Sequence, residues 1–144
     1  MESLTVEHSL WIAAPREKTW HAVTETQQLK QWWGDNSYGQ ITTLQEGATI
    51  KFSEGENAIF AIIRVVDPPR EFVFQWPPHP RYHSVPFTTR YFLEKENGGT
   101  RVTVSEAGFE ALPDDDRQSR FERITEEYRM VMANLKAYLE RTNL

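Results

Sequence analysis

The chain has 144 residues, the size of one domain and too few for two with separate cores. Hydrophobic residues make up 39% and charged residues 26%, a globular composition that argues against a disordered or membrane-embedded chain. Sixteen Lys and Arg against twenty-one Asp and Glu leave a net charge of -5 with no basic stripe, so nucleic acid is not an expected partner, and the lack of cysteine removes disulfides, thiolate nucleophiles and cysteine-held metals.

At the N-terminus, Glu2 and Glu7 stand where an export signal would need basic and then unbroken apolar residues. No window reaches the roughly 20 apolar residues of a membrane-spanning helix, so a soluble, cytoplasmic protein is expected. From Leu4 to Ile12 apolar and polar residues alternate with the period of a half-buried strand. Pro15 opens a short helix to about Thr24, with Glu17 in its first turn, and Thr26 to Trp33 forms a second helix that Gly34 stops. Two short strands follow, from Ser37 to Thr43 and from Ala48 to Phe52.

Ile59 to Val66 is rich in β-branched residues and pairs with a strand in which Phe72, Phe74 and Trp76 share one face. Pro77, Pro78, Pro80 and Pro86 then fence off a loop that no regular element can occupy. Phe87 to Glu94 and Thr100 to Ala107 make a hairpin around Asn97, Gly98 and Gly99, which supply the positive φ of a tight turn. Leu112 and Pro113 close the sheet, and Asp114, Asp115 and Asp116 suit the positive end of a helix dipole. The long helix that follows carries a stripe of Phe121, Ile124, Tyr128, Val131, Leu135 and Tyr138, widened by Met132 and Leu139. About seven strands, two short helices and one long helix predict an α+β fold, a single domain over 1–144 in which an antiparallel sheet packs on the C-terminal helix.

Glu106 continues the face of Val102 and Val104, so it points inward unless the strand has ended. A carboxylate there needs a partner or water. It could meet Arg117, Arg120 or Arg123 of the long helix, contact a ligand or act as an acid. His79 and His83 are four apart, but the prolines beside them exclude the helix that would join them on a metal. GxSxG, phosphate-loop, HExxH and DxDxDG patterns are all absent, so no catalytic residue is assigned and no metal or cofactor is expected.

The segments IAAPREKTWHAVTETQQLKQWWG at 12–34, VVDPPREFVFQW at 65–76, GGTRVTVSEAGF at 98–109 and NLKAYLE at 134–140 carry a family likeness. In order and spacing they resemble bacterial proteins similar to the C-terminal domain of the activator of the ninety-kilodalton heat-shock protein's ATPase, within the START-like (SRPBCC), helix-grip superfamily. The resemblance implies a sheet curved around the long helix with a cavity between them. It places Trp33 near the cavity mouth, with Phe74, Trp76 and Tyr91 on the concave face of the sheet. Tyr82 comes from the proline loop, and Phe121, Tyr128 and Met132 from the helix. Glu106 joins them as a polar contact, while Trp32 or Trp33 could instead plug the sheet edge and Trp76 could be either wall or core. Glu127 and Tyr128 replace a Gly-Trp pair common in the family, which makes that wall more polar.

The fold hosts many functions. The expected one is a binding or carrier protein for an apolar or amphipathic small molecule. The alternatives are a cofactor-free cyclase, isomerase or hydrolase using Glu106, Tyr82 or His83 in the same cavity, and a co-chaperone-like interaction module. The eukaryotic activators have an N-terminal domain that this chain lacks, which counts against a chaperone partner. The oligomeric state, a homodimer included, is left open.

Overall fold

The computed structural model describes residues 5–35, 37–52, 58–77 and 87–142. Strand β1 (Thr5–Ile12) leads into helices α1 (Arg16–Thr24) and α2 (Thr26–Trp32), followed by β2 (Gly39–Ile41), β3 (Thr49–Phe52), β4 (Ile59–Asp67) and β5 (Glu71–Gln75). Then come β6 (Thr88–Glu96), β7 (Gly99–Ala107), a 3-10 turn (Phe109–Ala111) and α3 (Asp114–Thr142). The seven strands form one sheet in the order β1-β7-β6-β5-β4-β3-β2, with every neighbouring pair antiparallel. This is the helix-grip arrangement, a curved sheet holding a long C-terminal helix.

Period-two alternation gives the sheet a buried inner face. Along β7, Thr100, Val102, Val104 and Glu106 are all buried. The register continues that face across the sheet, so that Val6, Glu106, Thr89, Phe74 and Ile63 form one row over five strands. Opposite it, α3 buries Ile124, Tyr128, Met132, Leu135 and Leu139. The stripe read from sequence is displaced, because Phe121, Val131 and Tyr138 are only partly buried.

Polar bonds fix the ends of α3 and α2. Lys136 Nζ donates to the Trp11 carbonyl at 2.8 Å, and Glu140 accepts from the Ala13 amide at 2.9 Å, tying α3 to the end of β1. Thr26 Oγ1 accepts from the Ile41 amide at 2.8 Å and bonds the Ile41 carbonyl at 3.1 Å, anchoring α2 to the edge strand β2.

The β6–β7 turn is tighter than the sequence suggested. Asn97 and Gly98 have φ of 47° and 79°, the two positive values of a two-residue hairpin loop. Gly99 is not a turn residue but the first residue of β7. It is glycine because the chain passes too close: a Cβ there would lie 2.3 Å from the Ile12 carbonyl oxygen and 2.8 Å from the Trp11 ring.

Candidate functional site

The sheet and α3 do not close on each other completely. Between the β3–β6 end of the sheet and the first half of α3 lies a cleft of about 390 Å³, in the size range of small-molecule sites. One wall is aromatic. Phe52 of β3 and Trp76, just after β5, stack with ring centroids 4.4 Å apart, and Phe74 packs behind them at 5.9 Å from Phe52 and 5.7 Å from Trp76. Phe87 adds a ring from just before β6, and Ile124 and Tyr128 face the wall from α3.

A polar cluster is set into this apolar surface. The register places Thr89 directly opposite Glu106. Tyr128 Oη donates to Glu106 Oε1 at 2.8 Å, Thr89 Oγ1 donates to the same oxygen at 3.2 Å, and Trp76 Nε1 donates to Thr89 Oγ1 at 2.9 Å. The second oxygen, Oε2, accepts no hydrogen bond from a described residue. Glu106 is 5% exposed, and it lines the cleft. Burial pushes its pKa above the ordinary carboxylate value; the hydroxyls of Tyr128 and Thr89 and the charge of Arg120 pull it back, while Glu127 adds to the rise. Burial, with the nearby Glu106 charge, also raises the pKa of both the Tyr128 and the Tyr91 phenols.

The inward direction read for Glu106 therefore holds, since β7 continues to Ala107. The arginine partner does not. Arg117 bridges Asp114 at 2.9 Å and donates to the Leu112 carbonyl, so it is committed to the start of α3. Arg120 reaches Glu106 through charge without a hydrogen bond, and its guanidinium lies 4.9 Å from the centre of the Phe87 ring.

Of the candidates named from sequence, Trp33, Trp76, Glu106 and Tyr128 line the cleft. The adjacent tryptophans divide the two readings between them. Trp32 is buried with its indole N–H on the Ala22 carbonyl, whereas Trp33 lines the cleft and donates to Ser37 Oγ at 3.1 Å. Phe74, Tyr91 and Met132 are core residues behind the lining. Phe121 packs edge-on against Phe109, which also meets Phe87, and it is not among the residues that line the cleft. Tyr82, with His79 and His83, lies outside the described residues.

Sequence reasoning missed Phe52, Phe87 and Arg123 as lining residues, whereas Glu127 lines the cleft beside Tyr128 on the wall that the resemblance made more polar. Phe52 was within reach of the argument, because Ile50 and Phe52 alternate with Thr49 and Lys51 on β3. Among the described residues no three His, Cys, Asp or Glu side chains gather as metal ligands would, and no helix is long and apolar enough to cross a membrane.

The family model for Activator of Hsp90 ATPase homolog 1-like proteins matches residues 13–140. Among solved structures, protein MLL2253 from Mesorhizobium loti superposes with a TM-score of 0.78 at 19% identity, over 98% of this chain and 100% of that one. The Aha1 dimer from Colwellia psychrerythraea gives 0.75 at 21% identity, over 95% and 96% of the two chains. DynU16, from the dynemicin biosynthetic locus, gives 0.74 at 20% identity, with 94% of this chain covering 47% of that one. At such identities the likeness establishes the fold. No curated protein matches the sequence.

Proposed function

This chain belongs to the Activator of Hsp90 ATPase homolog 1-like family, and from that premise we propose that it is a binding or carrier protein holding a hydrophobic or amphipathic small molecule between its sheet and α3. The observation that carries the reading is the cleft itself, a concave space walled by Phe52, Trp76, Phe87 and Tyr128 with a few convergent polar groups. A fully packed core would have filled this space with side chains. The position of DynU16 in a biosynthetic locus fits a fold used around small molecules. A homodimer is proposed as well, after the dimeric Colwellia neighbour.

Titration with N-phenylnaphthylamine, a neutral apolar dye that brightens on leaving water, tests the reading. The parent protein should bind it at micromolar concentration with loss of tryptophan emission. Ile124→Trp, which places a bulky ring in the cleft, should lose the dye yet still unfold cooperatively in denaturant. Absence of dye binding by the folded parent, or undiminished binding by Ile124→Trp, would sink the proposal.

One observation favours a second reading, a cofactor-free cyclase, isomerase or hydrolase. A buried carboxyl with a raised pKa, held by Tyr128 and Thr89 at the wall of the cleft, is equipped to move a proton. Recovery of the bound compound separates the two, since a carrier returns it unchanged. A co-chaperone-like role would call for an extended apolar patch on the convex face. Phe60 and Ile62 of β4 are the large apolar side chains exposed there among the described residues, too few for such a patch.

A further inference from the structure

Resting on the carrier reading of the cleft, we propose that its occupant is an amphipathic carboxylate, with a singly charged head held by Arg120 and Arg123 and an apolar body against Phe52 and Trp76. The four arginines from Arg117 to Arg129 of α3 divide into two sets. Arg117 is bridged to Asp114 and Arg129 to Glu126. Arg120 and Arg123, the two that line the cleft, form no salt bridge with a described residue. Arg123 and Glu127 stand one turn apart on the same helix, a spacing suited to an ion pair, and are not bridged.

Arg120 is half-buried, and its Nε is a buried donor that meets no acceptor among the described residues. Leaving a desolvated N–H of a cation without an acceptor is costly, and an arriving carboxylate oxygen offsets that cost. The guanidinium lies over the Phe87 ring, 4.9 Å from its centre, and its planar fork presents paired donors to a two-oxygen anion. Charge balance then limits the head group. Glu106 and Glu127 line the same cleft, so each further negative charge on the head group meets added repulsion, which favours a singly charged carboxylate over a doubly charged phosphate.

The test is competition against bound N-phenylnaphthylamine by decanoate, decanol, decylamine and decyl phosphate, which share one chain and differ in head group. Decanoate should displace the dye at roughly tenfold lower concentration than decanol, the factor expected of one charge-assisted hydrogen-bonded contact. Arg120→Gln and, separately, the exposed Arg123→Gln should each shrink the preference for decanoate over decanol several-fold. Because Arg123 is exposed, its replacement also answers the question if Arg120→Gln disturbs packing on Phe87. Equal displacement by decanoate and decanol, a preference for decylamine or decyl phosphate, or an unchanged preference in Arg123→Gln would each overturn the carboxylate assignment while leaving the carrier reading standing. Failure of the dye to bind at all would instead remove the carrier reading, and this inference with it.

Discussion

A carboxyl buried in an apolar row must find donors or keep its proton, and Glu106 does something of each. Tyr128 and Thr89 both give their hydrogens to Oε1, yet burial still outweighs them and the proton is held more tightly than on a free side chain. The consequence for stability has a definite sign. A group whose folded pKa lies above its unfolded value supports the fold fully below the unfolded value, near 4.5 here, and the support fades as pH rises through the folded value. Glu106→Gln keeps the shape and cannot ionise. The stability of the variant relative to the parent should therefore increase as pH is raised above about 4.5, as followed by urea unfolding at a series of pH values. The surrounding groups that also carry charge or titrate are Arg120, Glu127 and Tyr128 on α3 and Tyr91 on β6. All four are present in both proteins, so the difference between the two curves isolates Glu106. A flat difference, or one of opposite slope, would show that burial does not dominate this carboxyl.

Among the elements, the hairpin and the long helix show where sequence was informative. Alternation along β7 was enough to turn Glu106 inward, and the three aspartates marked the start of α3 at Asp114. Gly99 was legible as a glycine with a purpose but not as the right purpose. Its constraint comes from β1, 87 positions earlier at Ile12, and turn chemistry contains no record of that contact. The two readings separate experimentally. Gly98→Ala places a side chain in open space at positive φ and should cost about 1–2 kcal/mol. Gly99→Ala drives a methyl into backbone and should cost more, about 3 kcal/mol, as measured by denaturant unfolding. A Gly99→Ala protein no less stable than Gly98→Ala would return Gly99 to the turn. The phase of α3 was hidden for another reason. The stripe read as alternating steps of three and four averages less than the 3.6 residues of a helical turn, so it drifts off the buried face. The buried set steps by four, four, three and four, from Ile124 through Tyr128, Met132 and Leu135 to Leu139. Phe121 went astray with it, held instead by Phe109 of an unforeseen 3-10 turn.

At the scale of the whole molecule, the fold and family were legible because alternation, turn residues and motif order all pointed to one sheet gripping one helix. The walls of the cleft were legible only in part. Trp76 and Tyr128 follow from the face each occupies and Trp33 from the resemblance, but Phe87 enters through a contact between distant residues, its carbonyl accepting from the Trp76 amide at 2.8 Å. The five tryptophans provide an internal map for testing whether the cleft is a binding site. Trp33 and Trp76 line it, while the indole N–H groups of Trp11 and Trp32 are bonded to the carbonyls of Glu96 and Ala22, and Trp20 packs on Phe72. The most direct measurement is the nitrogen–proton NMR spectrum of the five indole groups during titration with N-phenylnaphthylamine, whose rings shift the signals of nearby protons. A ligand-binding cleft gives saturable movement of the Trp33 and Trp76 signals while those of Trp11, Trp20 and Trp32 stay in place; movement confined to the latter three, or no movement at Trp33 and Trp76 while the dye is bound, would contradict it.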